Sequence, residues 1–441
     1  MNSTVTLKSL KALAKERGLK GYSGKSKEEL LIALSFEEEV PLPDTNEVQY
    51  YTEPAPVEEA PVEAPVAKTK GKKSKDDGKD KDSKDSKDSK DSPVKRLNYI
   101  GSKFQLLHWL TETTKAALTT TTLAGLRIAD LFAGTGIVSH HFRLQGAAVT
   151  TNDAEPYSAL IARSFTTGTH TTKCRDTLQT LNKELDDGKH KDSTGFITEN
   201  YSPHNGSERM FFTVDNAKRI DYVRRRLHDE KAEHTEDEHA FLLAALLLAA
   251  DAVSNVPAVY GCYLHAFKAK ALKPLVLHPP HTAEKAAEAG SAAHQNDVLS
   301  PSFLSAIHAD VVYLDPPYNE RQYSKNYFPL NMIALEPDAE KPALKGKTGI
   351  PSTCFLSPFC RKATVEAAFD TLFKSLDTRW LILSYNSESL VSKEAMVALM
   401  SKYGTVTVKE QSYKRFKSYE YNKDVDIKEY LFILEKKATA P

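Results

Sequence analysis

The sequence predicts an α/β fold, a sheet with helices on both faces, interrupted by a helical insert and preceded by a small two-helix module. Three observations predict it. From about Lys95 onward, strand-like runs alternate with helical stretches, which is the pattern of an α/β sheet. Two of those runs lead into turns that bring chemistry to a sheet edge, one through glycines and one through two prolines. Before Lys95 the composition shifts so sharply that the chain must divide.

In chain order, residues 1–36 form the first unit. Leu7, Leu10, Leu13 and Ala14 lie at helical spacing, Gly18 closes that helix, and Leu30, Leu31 and Leu34 mark a second one after a Gly/Ser turn. Residues 37–94 are acidic and proline-rich, then a Lys/Asp/Ser repeat. They cannot bury enough apolar surface to offset chain entropy and read as a disordered linker. Residues 95–165 open the sheet, with strands at Leu126–Leu131 and Ala147–Asn152. Residues 166–290 break the alternation and read as a mostly helical insert, with helices at Asn216–His228 and Glu238–Val253. Residues 291–441 resume the sheet, with strands at Val311–Leu314, Trp380–Leu383, Thr405–Val408 and Tyr430–Leu434.

Composition narrows the function. With 59 basic and 59 acidic residues the net charge is zero, which excludes a polycation but not a local nucleic-acid face. The longest apolar run, Phe241–Ala250, is about half a membrane span and reads as a buried helix. The four cysteines show neither zinc-ligand pairing nor the density of a disulfide scaffold, so free thiols in a reducing compartment are expected. With no apolar leader at residues 1–20, the expectation is an intracellular, soluble protein with no membrane and no metal.

The first chemical signal is Ile128-Ala-Asp-Leu-Phe-Ala-Gly-Thr-Gly136, a strand ending at Asp130 that runs through Phe132, Gly134 and Gly136 into a helix. The glycines let a ligand approach the backbone at the carboxyl edge of a sheet. No Gly-Lys-Ser/Thr follows, so this is not a P-loop. A tight strand–helix turn is the plainer alternative. The next strand ends at Asp153, an acid placed to accept a ribose diol as in Rossmann-type sites, or else to cap a helix before Pro156. Together they favour a nucleoside cofactor.

The decisive signal is Val311-Val-Tyr-Leu-Asp-Pro-Pro-Tyr318. A buried strand delivers Asp315, Pro316, Pro317 and Tyr318 to the sheet edge. Here the chain resembles the amino-methyltransferases that use S-adenosylmethionine to methylate an exocyclic base amine. The local chemistry fits: the Asp315 carboxylate and the Pro316 carbonyl can accept hydrogen bonds from that amine and localise its lone pair. Pro316 and Pro317 stiffen the loop, and the Tyr318 ring can stack on the base.

Leu97-Asn-Tyr-Ile-Gly-Ser-Lys103 sets the subclass, since it resembles the cofactor segment of Dam-like (D12 class) DNA adenine-N6 methyltransferases. The resemblance spans roughly residues 95–435 and implies a Rossmann-like sheet with a target-recognition insert, S-adenosyl-L-methionine as cofactor and DNA as partner. A companion endonuclease is left undefined. The resemblance also implies that Tyr99 and Lys103 touch the cofactor, Lys103 through its methionine carboxylate. Asp297 is the candidate for the cofactor's adenine amine, with a surface cap as its alternative. Arg321, Tyr323, Lys325, Asn326 and Tyr327 combine phosphate donors with aromatic faces beside the reacting base, as an extruded nucleotide requires, while interface packing is the alternative for each.

The N-terminal module resembles SAP-like or Rho-N-like nucleic-acid-binding domains, with Lys20, Lys25 and Lys27 flanking its turn. A protein-interaction hairpin is the alternative there. This tether points to a nucleus or a viral replication site, with the cytoplasm otherwise. Rival functions are DNA cytosine-N4 or RNA base methylation, or a non-catalytic nucleic-acid-binding scaffold. The intact Asp315 argues against the last.

Overall fold

The structure, a computed structural model, describes residues 96–97, 99–283, 285–413 and 427–437. The expected two-helix module with Lys20, Lys25 and Lys27, and the expected linker, lie outside the described residues.

The chain enters through a short 3-10 turn into α1 (Leu107–Leu118), then β1 (Arg127–Asp130), α2 (Ile137–Leu144), β2 (Ala148–Asn152) and α3 (Pro156–Thr166). The insert carries α4 (Thr172–Asp186), α5 (Phe196–Tyr201), α6 (Val214–Asp229) and α7 (Glu236–Ala252). The sheet resumes with β3 (Ala292–His294), α8 (Pro301–Ala306) and β4 (Val311–Leu314). After β4 come α9 (Tyr323–Asn326), α10 (Phe328–Ala334), α11 (Val365–Ser375), β5 (Trp380–Asn386), α12 (Lys393–Ser401), β6 (Gly404–Tyr413) and β7 (Ile427–Lys436). These strands form one seven-stranded sheet in the order β3-β2-β1-β4-β5-β7-β6. The first five run parallel, whereas β7 pairs antiparallel with both β5 and β6. β4 reads Val-Val-Tyr-Leu and is buried throughout, as a central parallel strand covered on both faces must be.

Two apolar layers flank the sheet near its centre. Ile128, Phe142, Val149, Tyr313 and Ile382 pack on one face. Leu131, Val312, Leu314, Phe369, Leu383 and Phe432 pack on the other. The insert has no core of its own. Its Leu178, Ile220, Phe241 and Leu246 pack in one cluster with Tyr157, Ile161 and Phe165 of α3 and with Leu330 and Ile333 of α10. α7 is capped by a reciprocal Thr235–Glu238 box and buried almost all round, the signature of a helix at the centre of its layer.

The expected helical insert needs one correction. Residues 253–291 form neither helix nor strand among the described residues. Pro257, Pro274, Pro279 and Pro280 deny the stretch helical amides, so side chains must satisfy its backbone. Asn216 donates to the Ala271 and Lys273 carbonyls and accepts from the Leu275 amide, while Asn182 brackets Leu277 in the same manner.

Candidate active site

The chain leaves β1 toward β2 and leaves β4 toward β5, so the carboxyl ends of β1 and β4 splay apart at a topological switch point. An open cavity of about 970 Å³ lies there. It is lined by Tyr99–Lys103, Asp130–Thr135, Asn152–Glu155, Asn296–Val298 and Asp315–Tyr318, together with Tyr323 and Phe359. Five sequence segments far apart in the chain thus converge on one crevice.

The glycine turn is shaped by close approach. Gly134 and Gly136 have φ of +53° and +70°, where side chains are strained. A Cβ on Gly136 would lie 2.8 Å from the Ala162 Cα, and one on Gly134 would lie 3.1 Å from the Tyr99 ring. The Gly134 amide donates to Asp153 Oδ2 at 2.8 Å, and the Glu155 amide donates to Oδ1 at 2.9 Å. Burial raises the Asp153 pKa, and these two amides oppose the rise. A carboxylate holding one amide per oxygen still has lone pairs for a diol. Asn152 exchanges side-chain hydrogen bonds with the Asn296 backbone, which brings Asp297 to the same crevice. Asp297 is exposed and accepts from the Leu299 amide at 3.0 Å, which is the contact of its alternative reading as a surface cap.

Asp130 is buried at the foot of the cavity. Ser139 donates to its Oδ2 at 2.6 Å, while Oδ1 has no hydrogen-bond partner. Burial pushes this carboxyl up to about 7, with the serine pulling the other way. The Phe132 ring meets Phe359 edge-on at 5.1 Å and forms an apolar wall.

Across the crevice, Asp315 follows β4 with 17% of its side chain exposed. Its Oδ1 lies 2.9 Å from Lys103 Nζ and accepts from the Tyr318 hydroxyl at 2.8 Å. Burial raises its pKa and the Lys103 ammonium opposes that. Lys103 was expected on the cofactor's carboxylate; in this structure it is paired with Asp315 and also donates to the Gly101 carbonyl at 2.9 Å. It is the one lysine or arginine lining the cavity among the described residues, so the site's acids compete for it.

The aromatic residues divide. Tyr323 lines the cavity and donates to the Ile100 carbonyl at 3.2 Å. Tyr327, expected to face DNA, is fully buried, accepts from the Ile100 amide at 3.0 Å and stacks on Tyr99 at 5.2 Å. That corrects its assignment: it packs against Tyr99, which lines the cavity. Arg321 and Lys325 are exposed outside the cavity, and Asn326 is half-buried with its carbonyl accepting from the Tyr260 amide at 2.8 Å. Sequence reasoning missed Phe359 and Glu429. Glu429 is a buried acid of β7 whose Oε1 accepts from Tyr318 at 2.9 Å. Strand parity puts it on the side of the buried Ile427 and Leu431, but burial does not alternate here, since Lys428 is exposed and Tyr430 on that other side is buried.

This sheet order with a glycine turn and an acid at neighbouring strand ends is a Rossmann-like arrangement with a crevice for a nucleoside cofactor. An orphaned acid oxygen, a glycine cradle and an acid after β2 are a donor set that fits this nucleoside. Residues 99–399 match the D12 class N6 adenine-specific DNA methyltransferases, and the chain belongs to that family. It is 40% identical over 345 residues to the type II methyltransferase M.CviAII of Paramecium bursaria Chlorella virus 1, covering 77% of this chain and 99% of that protein. It is 37% identical to the type II methyltransferase M.NlaIII of Neisseria lactamica, over 77% and 99% of the two chains. The activity is therefore site-specific methylation of adenine N6 in DNA. No helix among the described residues is long and apolar enough to cross a membrane.

Proposed function

We propose that this chain draws the target adenine out of the duplex into the crevice and transfers the methyl group directly, with Asp315-Pro316-Pro317-Tyr318 as its catalytic loop. The observation that carries this reading is the convergence of that loop with Asp153 and the glycine turn on one cavity. S-adenosyl-L-methionine supplies an electrophilic methyl group. Asp153 holds the ribose hydroxyls, Asp297 the adenine amine, and Tyr99, Phe132, Gly134 and Gly136 shape the pocket. Asp130 sits beneath it. Asp315 and the Pro316 carbonyl accept hydrogen bonds from the two N6–H groups, which localises the lone pair on nitrogen and stabilises the positive charge that grows there. As N6 bonds the methyl carbon, that carbon's bond to sulfur breaks, and N6 then releases one proton to water. Pro317 stiffens the loop, and Tyr318 stacks on the extruded base, whose target atom is out of reach inside a stacked duplex. Arg321 and Lys325 are exposed, which suits phosphate contacts, and residues 166–290 carry target recognition.

The test places 2-aminopurine at the target position of the recognition sequence, itself found by sequencing modified bases in cells that express the protein. Binding should raise its fluorescence severalfold. A base that stays quenched while methylation of the natural site proceeds would overturn extrusion.

A second part of the reading concerns Lys20, Lys25 and Lys27. A tethered basic module raises the local concentration of DNA without touching the chemistry. Deleting residues 1–94 should weaken binding to long DNA and flatten its salt dependence, with single-turnover methylation at saturating DNA unchanged. Equal affinities across a salt titration would count against it.

A further inference from the structure

We infer that Glu429 is a positioning residue for methyl transfer, an acid beneath the catalytic loop that anchors the Tyr318 hydroxyl and shares Lys103 with Asp315, so that Asp315 is aimed at the target amine. The inference rests on the reading that Asp315 holds that amine. Glu429 lies on β7 and is 4% exposed. Its Oε1 accepts from the Tyr318 hydroxyl at 2.9 Å and from the Ser384 hydroxyl at 2.8 Å, and lies 3.6 Å from Lys103 Nζ. The same Tyr318 hydroxyl reaches Asp315 Oδ1 at 2.8 Å, and the same Lys103 lies 2.9 Å from that oxygen. Lys103 also sits 4.6 Å from the centre of the Tyr318 ring.

The fold has no need of this acid. Burying a carboxylate among Ile427 and Leu431 is costly, and a small apolar residue would complete the strand. What the acid provides is a second anchor for two groups of the catalytic loop. A tyrosine hydroxyl has one proton, so it cannot donate to both carboxylates at once. Two acids that share one hydroxyl and one ammonium titrate as a pair. The groups facing them are Lys103 before α1, Tyr313 on β4, Ser384 on β5, and Asp130 on β1 acting through Asp315. Lys103 contacts Asp315 at 2.9 Å and stands 3.6 Å from Glu429, so the direct anchor that Glu429 supplies is the one to the Tyr318 hydroxyl. The Asp315 charge raises Glu429, so the two carboxyls do not ionise independently.

The test is Glu429→Gln in the full chain, read by single-turnover methylation of DNA across pH beside wild type and Asp315→Ala. Glutamine keeps the shape and an acceptor oxygen but removes the charge. The plateau rate should fall by about tenfold to a hundredfold, because the Tyr318 hydroxyl loses its anionic anchor and the loop that holds the amine is misaligned. The acid limb should move down by roughly one pH unit, since a coupled pair of acids becomes a single acid. A purely structural role would leave that limb in place. Wild-type plateau and limb in Glu429→Gln, with Asp315→Ala inactive, would overturn this inference alone. An active Asp315→Ala would instead overturn the reading beneath it. If Glu429→Gln does not fold, Tyr318→Phe reads the same network, because Asp315 then loses a donor and its limb should move up. An unmoved limb there would also overturn the proposal.

Discussion

Asp130 and Asp315 close neighbouring parallel strands, and the register that pairs Asp130 with Tyr313 sets the second acid two residues further on. They are the same residue type at the same edge of the same sheet, yet their surroundings differ. Among the described residues, Asp130 is buried with one serine side chain donating to it, an oxygen without a partner and no cation against it. Asp315 has an ammonium at 2.9 Å, a phenol at 2.8 Å, and part of its surface open to the crevice. A carboxyl without a counter-charge in an apolar site is favoured neutral, whereas one beside an ammonium can work as an anion. On the proposed reading, this difference is what lets the β1 end frame a ligand and the β4 end act on one.

The largest expected effect breaks the β4 side of that contrast. Asp315→Ala should lower single-turnover methylation by about 10²–10³, the usual cost of removing one preorganised group that stabilises developing charge. Cofactor affinity should barely move, because Asp153 and the glycine turn are untouched. Since burial raises the Asp315 pKa, the wild-type rate should fall with an acid limb above the ordinary aspartate range near 4. Near wild-type rates in the variant would end the assignment.

A smaller effect is expected on the cofactor side. Asp153→Ala removes the acceptor of the Gly134 and Glu155 amides and the proposed diol partner. Hydrogen bonds to a charged group are worth about 1.5–3 kcal/mol, so the KM for S-adenosyl-L-methionine should rise roughly tenfold to a hundredfold. Most of the maximal rate should return at high cofactor. A fall in maximal rate with KM unchanged would place Asp153 on the chemical side of the crevice instead.

Much of this contrast was legible in the sequence, and the reasons differ from residue to residue. Val311–Leu314 is an unbroken apolar run ending in Asp-Pro-Pro-Tyr, so strand, edge and loop could all be read locally. Ala292–His294 could not, because three residues with two alanines become a strand only through pairing with β2. Tyr327 misled for a related reason. A tyrosine two turns past the catalytic loop looks the same whether it will stack on a base or on Tyr99, and only packing decides. Lys103 was readable as a ligand-facing cation but not as the partner of Asp315, which lies 212 positions away in the sequence. Asn216 and Asn182 read as ordinary helix residues, since the irregular backbone they satisfy is distant in the chain.

The smallest expected effect sharpens the β1 side, and its direction depends on pH. Asp130 titrates near the ordinary aspartate value of about 3.9 when unfolded and at about 7 in the folded chain. A raised acid stabilises the fold fully below its unfolded pKa and loses that contribution as pH rises through the folded value. Between pH 5 and pH 8 the wild-type protein must therefore lose stability at this position. Asp130→Asn keeps the shape, stays neutral and retains a partner for Ser139, so it should not lose that increment. Measured by denaturant unfolding, the stability of the variant relative to wild type should rise from pH 5 to pH 8 by an amount on the order of 1 kcal/mol. The Ser139 bond is already contained in that folded value, so it sets the size of the change and not its sign. A relative stability that stays flat with pH, or falls, would mean that Asp130 is an anion in the folded protein. The two strand ends would then share one electrostatic character, and the contrast between them would fail.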